Sequence, residues 1–250
     1  QPISNKQLSR DLIISFVNDK KFNNKKVFPR INSPESGELL KDITQLTVNG
    51  IDGFMYPKSK NGNDIYFFDK LLESVETQKG FPIGTFKIIP LIETSAAVLN
   101  AQDICKASNR VIAIAYGCED FITDLKGIHD INDTSLFVPR ALIAMAARAN
   151  GVIPIDTVHV NINDLDDLEK NLQVAKNLGF EGMLSLHPKE LPLIHKYFSP
   201  SKNEIENAKR IIELYKESEL NGKGVALFGN ELIGPPMVKD AKNLLNKWIN

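Results

Sequence analysis

The chain has 250 residues, 42% of them hydrophobic, which is enough to bury one sizeable core and matches the usual size of a single α/β barrel. Its 30 basic and 31 acidic residues leave a net charge of −1, without the basic footprint that a nucleic-acid binder needs. No apolar run is long enough to span a bilayer, and the opening QPISNKQLSR is not a signal peptide. Cys105 and Cys118 form neither a disulfide framework nor a zinc pattern, so the reading is a cytoplasmic protein with reduced thiols.

Two textures alternate along the chain. A helical period covers residues 5–18, followed by a short β-branched run at 26–31 (KVFPRI). A helix is expected over 37–48, a strand over 53–56 (GFMY) and a helix over 65–77. A strand over 87–92 (KIIPLI) then leads to a helix over 96–107, and a strand over 111–116 (VIAIAY) to a helix over 134–150. The last pairs are a strand over 157–161 (TVHVN) with a helix over 165–178, and a strand over 182–186 (GMLSL) with a helix over 203–220. Asp164 or Asp166, and Ser201, sit where helix N-caps belong; Gly151 and Gly179 sit where helices stop. Lysine pairs such as Lys20-Lys21 and Lys25-Lys26 read as solvated surface.

Strands alternating with helices imply a parallel sheet with crossover helices, and nearly continuous apolar strands imply burial on both faces. A doubly wound sheet and a closed barrel both fit that pattern. No G-x-G-x-x-G or G-x-x-x-x-G-K-S/T follows the first strand, so a nucleotide-binding motif is missing. Residues 1–220 are expected to form an α/β, TIM-like (β/α)8 barrel without its first two strands, because six strands are found where eight are needed. Residues 221–250, Gly/Pro-rich and then helical, read as a lid or oligomerisation tail.

In a parallel barrel the chemistry sits at the carboxyl ends of strands. KIIPLI runs into Glu93-Thr94, and VIAIAY runs into Gly117-Cys118-Glu119-Asp120. Two acids on adjacent strands, with no thiolate or imidazole close in sequence, suit a hard cation, Mg²⁺ or Mn²⁺. Spacing alone leaves a second reading open, in which Glu93 caps the next helix and Asp120 pairs with a lysine. Arg30, followed by Asn32, ends the first strand, where a guanidinium can clamp a carboxylate or a thioester oxygen or simply make a surface ion pair. Lys58 stands at the next rim, as an anion contact or a solvated charge. His187-Pro188 follows the last strand without a Ser, Cys or Asp companion and reads as structural, as does His159; His129 and His195 are assigned nothing.

The ordered set of these residues resembles the citrate lyase β-subunit-like, or HpcH/HpaI aldolase, family. The resemblance rests on Arg30-Ile31-Asn32, Gly53-Phe54 through Pro57-Lys58, Ile92-Glu93-Thr94 with Val98-Leu99-Asn100, and Gly117 through Asp120-Phe121 with Asp124-Leu125. It continues through Ala146-Ala147-Arg148-Ala149 to Gly151, Ile155-Asp156, and Gly179-Phe180-Glu181-Gly182 to His187-Pro188; Pro2 through Lys6 to Arg10 looks like the helix after that family's second strand. The resemblance implies a TIM-like barrel with Mg²⁺ held by Glu93 and Asp120. Arg30 would bind and stabilise a 2-oxo acid, with Glu93 and Lys58 as further substrate contacts. The implied reaction is carbon–carbon cleavage of a citryl-, malyl- or citramalyl-CoA-type thioester, in a homotrimer or larger homo-oligomer whose tail reaches a neighbour's site.

Three departures accompany the match. The family's two opening strands, the second ending in a Leu-Glu-Asp-like motif, have no counterpart here, so a truncated chain is expected. Phe228 stands where lyase and thioesterase members carry a tail acid, and Met183 where a basic residue is common. Two alternatives to the thioester lyase follow: an aldolase-like enzyme on a free 2-oxo acid, and a non-catalytic metal- or oxo-acid-binding subunit.

Overall fold

The structure is a computed structural model that describes residues 5–19, 21–22, 25–128, 134–222 and 224–249. Pro2, Lys20 and His129 lie outside the described residues. Contacts divide the chain into two compact units, 1–190 and 191–250. The change of texture after residue 220 is not where contacts divide: α10 (Lys202–Leu220) packs against α11 (Pro235–Ile249) and β6 (Ala226–Phe228), so it belongs with the tail.

The first unit opens with α1 (Lys6–Asn18) and α2 (Leu39–Leu46). Five parallel strands follow: β1 (Gly53–Tyr56), β2 (Lys87–Ile92), β3 (Ala113–Tyr116), β4 (Ile153–Asp156) and β5 (Gly182–Met183). Their spatial order is β1-β2-β3-β4-β5. A doubly wound sheet reverses its order at a switch point. Here strand order follows chain order throughout, as in a TIM-like barrel, although the described strands do not close into a ring.

Alternation along the strands explains the two buried faces. Ile89, Leu91, Ala113 and Ala115 form one cluster, joined by Phe28, Met55, Ile155 and Leu184. The alternate residues Phe54, Tyr56, Ile88, Ile92, Ile114 and Tyr116 are 0–2% exposed on the other face. Helix α3 (Gly62–Lys79) supplies Phe68, whose ring lies 4.5 Å from that of Tyr56. This apolar two-sided packing fixes the strand ends, and with them the loops that carry polar residues.

Two expected strands differ from the structure. Residues 26–31 run beside β1 but make only one bridge, Arg30 to Met55, because Pro29 has no N–H and the segment pairs on one side only. The fifth expected strand, 157–161, lies just past the real one, β4. Pro154 is tolerated in β4 because it presents its carbonyl to the Glu181 N–H at 3.0 Å. The helix expected over 96–107 breaks at Asn100 into α4 (Ser95–Leu99) and α5 (Ala101–Lys106). Two short helices were not foreseen: α6 (Cys118–Leu125) and α9 (Leu191–Phe198). Asp164 caps α8 (Leu165–Leu178), Gly179 ends it at φ 91°, and Ser201 forms a capping box with Glu204 on α10.

The second unit contains α9, α10, a hairpin of β6 with β7 (Glu231–Ile233), and α11. Phe228 ends β6 opposite Glu231, next to a turn at Gly229 with φ 61°.

Candidate metal and oxo-acid site

The carboxyl ends of β1, β2 and β3 open into a cleft of about 440 Å³, lined in part by Arg30, Lys58, Glu93 and Asp120. All four residues singled out in the sequence therefore share one cleft. Glu93 follows β2 directly and is 5% exposed; Asp120 lies in the first turn of α6 and is exposed. Arg30 and Lys58 are exposed on the rim.

Glu93 is held without a cation in hydrogen-bond range among the described residues. Its Oε2 accepts from the Lys58 backbone N–H at 2.8 Å. Lys58 adopts a left-handed conformation, φ 55°, that presents this N–H inward. The backbone of Lys58 thus contributes a contact that the sequence, which suggested only its ammonium, did not reveal. Burial pushes the Glu93 carboxyl above its usual range; the Lys58 N–H opposes this, the charge of Asp120 adds to it, and the charges of Arg30 and Lys58 oppose it. Gly117 permits the packing: a Cβ there would stand 2.7 Å from Glu93 Cγ.

Neither alternative role for the acids is realised. Thr94, not Glu93, caps α4 by accepting from the Ala97 N–H at 3.1 Å. No lysine ion pair involves Asp120 among the described residues. Asp156 shows what a neutralised strand-end acid looks like. It is 0% exposed and carries a two-point ion pair with buried Arg140, one contact being 3.2 Å from Nε to Oδ1.

The other wall of the cleft is built by a network that sequence reasoning left unassigned. Arg10 on α1 is 5% exposed and its Nη1 lies 2.7 Å from Asp42 Oδ1 and 3.0 Å from Glu38 Oε2. Asp42 Oδ2 accepts from both the backbone and the side-chain amide of Asn32, at 2.7 and 2.6 Å. An acid on the buried face of an amphipathic helix was the available signal for Asp42. On the other side, the Cys118 N–H donates to Thr157 Oγ1 at 3.0 Å, tying the start of α6, and so Asp120, to the end of β4. His187 is exposed, and its Nδ1 accepts from the Lys189 N–H at 3.2 Å.

The donor set suits a hard divalent cation. Among the described residues the cleft lining holds carboxylates and no thiol or imidazole, and Asp42 is committed to Arg10 and Asn32. No group of three or more acidic, His or Cys side chains able to hold a metal exists among the described residues. Two carboxylates alone are what Mg²⁺ takes from a protein when water and substrate oxygens complete its shell. Positive charge at this point would also relieve the buried, anion-flanked Glu93. No helix of the described residues is long and apolar enough to cross a membrane.

Comparisons with known proteins bear on the family and the fold. The citrate lyase subunit beta of Haemophilus influenzae is 33% identical over 218 residues, 87% of this chain and 75% of that protein. The mitochondrial citramalyl-CoA lyase of Rattus norvegicus is 26% identical, over 86% of this chain and 67% of its own. Among solved structures, a CitE protein from Mycobacterium tuberculosis in complex with magnesium, acetoacetate and coenzyme A superposes with a TM-score of 0.69 at 22% identity, covering 88% of this chain and 77% of that one. A citrate lyase from Burkholderia xenovorans LB400 gives 0.74 at 18% identity, over 88% and 70% of the two chains. The family model for HpcH/HpaI aldolase/citrate lyase matches residues 2–188, and the chain belongs to that family.

Proposed function

We propose that the chain is a Mg²⁺-dependent carbon–carbon lyase that cleaves a 3-hydroxyacyl-CoA thioester of the citryl-, malyl- or citramalyl-CoA type into an acyl-CoA and a 2-oxo acid. The observation that carries this reading is Glu93: a buried strand-end carboxylate without a hydrogen-bonded cation among the described residues, lining one cleft with Asp120 and flanked by Arg30. Glu93 and Asp120 hold the ion, and the Lys58 N–H fixes the Glu93 carboxylate. When bound, Mg²⁺ supplies Lewis-acid polarisation of an oxo-acid carbonyl. Arg30 pairs its planar guanidinium with the oxo-acid carboxylate and orients it, Lys58 adds positive charge at the rim, and Asn32 is locked beside them by Asp42.

Isothermal titration with Mg²⁺ and oxaloacetate, followed by assays of citryl-, malyl- and citramalyl-CoA cleavage, tests the reading. Glu93→Gln and Asp120→Asn are each expected to abolish turnover; undiminished turnover in either removes the metal assignment. A second reading, an aldolase-like enzyme on a free 2-oxo acid, is favoured by Phe228, an apolar side chain on the tail hairpin. Cleavage of a free 2-oxo acid substrate with no thioester activity would select it, and absence of any metal-dependent heat would select a non-catalytic subunit. The proposal includes a cytoplasmic setting, consistent with buried, unbridged Cys105 and Cys118, and a homotrimer or larger assembly, which light scattering on the eluted protein measures.

A further inference from the structure

A second recess, about 80 Å³ in volume, lies at the carboxyl ends of β3, β4 and β5. Cys118, Thr157, His159, Asp167 and Met183 help to line it. At roughly 30 Å³ per water it holds two or three waters or a small organic group. It stands two strands over from Glu93, which at about 4.8 Å per strand is on the order of 10 Å away. None of the residues assigned to the metal and oxo-acid site lines it.

His159 is the unusual member. It is 6% exposed, and its Nε2 lies 3.0 Å from Asp167 Oδ2. A carboxylate only accepts, so this contact places a ring proton on Nε2, and in the neutral imidazole Nδ1 then carries the lone pair. Nδ1 is buried and has no hydrogen-bond partner among the described residues. Buried acceptors are normally satisfied, and the exceptions call for a ligand or water to complete them. Among the described residues the lining contains no lysine or arginine, and Met183 supplies a thioether at the end of β5. Two acids, Glu119 and Asp167, line it too. An anion is therefore disfavoured there. Leu136, Val158 and Val160 make an apolar wall that would also strip the hydration from an ammonium.

We propose that this recess is a binding subsite for a neutral hydrogen-bond donor, an amide N–H or hydroxyl on an otherwise apolar segment, with His159 Nδ1 as its acceptor. Asp167 acts as the positioning residue that fixes the tautomer. The inference goes beyond the lyase reading and does not depend on it.

The test uses the full chain labelled with ¹⁵N-histidine, without Mg²⁺ or oxo acid, so a failure of the lyase assays leaves it intact. Long-range ¹H–¹⁵N spectra are expected to show His159 as the Nε2–H tautomer. Acetamide, and pantetheine as an amide on a longer arm, should each shift its Nδ1 resonance saturably; pyruvate and methylammonium should not. A response to acetamide alone assigns the site to small amides, and a response to both extends it to the longer arm. His159→Phe should weaken binding by about tenfold, the worth of one hydrogen bond. His159→Gln, which keeps an acceptor, should retain more affinity than His159→Phe, and it serves as the reference if the phenylalanine variant does not fold, with binding then expected to fall in Asp167→Asn. The proposal is overturned by an Nδ1–H tautomer, by an Nδ1 that no amide moves or that methylammonium moves equally, or by a His159→Phe or Asp167→Asn variant that binds like the parent.

Discussion

Glu93 and Asp156 are both acids at the ends of buried parallel strands, yet they have opposite fates. Asp156 meets Arg140 inside the protein, whereas Glu93 receives one backbone N–H and a neighbouring negative charge. A buried carboxylate without a cation opposes folding in its charged form. Glu93→Gln is therefore expected to raise the thermal midpoint of the metal-free protein while abolishing the stabilisation given by Mg²⁺. Calorimetry with and without the ion checks both halves, and a lowered metal-free midpoint would contradict the first. Gly117 gives a second residue-scale prediction. Its φ of −114° is open to any residue, so an added methyl acts through its clash with the Glu93 side chain, 2.7 Å from Cγ and 3.2 Å from Oε1. Gly117→Ala should leave the fold intact and weaken Mg²⁺ binding at least tenfold, about 1.4 kcal/mol, by titration. The sequence displayed Glu93, Asp120, Arg30 and Lys58 because each directly follows, ends or closely trails an apolar run. It hid the Lys58 N–H and the Arg10–Asp42–Asn32 network, which depend on a left-handed backbone and on a contact 32 residues apart.

At the scale of elements, apolar pattern located β1, β2, β3 and β5 because strands buried on both faces read as short apolar runs. It set the fourth strand too late because TVHVN alternates like a half-buried strand, whereas IPID carries a proline. The displaced segment matters, since Thr157 then follows the carboxyl end of a strand and does not begin one. Its hydroxyl oxygen takes the Cys118 N–H and sets the direction of α6. Helix α6 itself, Cys118–Leu125, is too short to show a clear period in sequence. Thr157→Val keeps the volume and removes the acceptor, leaving a buried N–H unpaired at a cost of about 1–3 kcal/mol. The variant should lose that stability in urea and bind Mg²⁺ more weakly, because Asp120 moves with the helix start. Unchanged affinity at reduced stability would show that α6 is held by other contacts.

For the whole molecule, the sheet separates function from stability by the two ends of its strands. The cleft sits at the carboxyl ends, while a buried ion network sits beside the amino ends of β2 and β3. Arg110 there pairs with Asp69 and with Glu76, at 2.6 Å from Nη2 to Oε2, and donates to the Phe86 carbonyl. Glu76 also accepts the backbone N–H groups of Gly84 and Phe86. Burial alone would push the Glu76 carboxyl up, but Arg110 and these two N–H groups together hold it below its usual range. Its contribution to stability is therefore present above the unfolded carboxylate value of about 4.3 and is lost as pH falls through the lower folded value. Glu93, held above its usual range, has the opposite sign: folding favours its protonated form, and its cost grows as pH rises through the raised value. Urea midpoints from pH 3 to pH 8 separate the two ends of the barrel. Glu76→Gln should be less stable than the parent by about 3 kcal/mol at pH 7, with the gap closing in acid, and should bind Mg²⁺ normally. Glu93→Gln should be the more stable protein at pH 7, with its advantage vanishing in acid, and should not bind the ion. A pH-independent gap for Glu76→Gln would mean that Arg110 is held there by packing and not by charge.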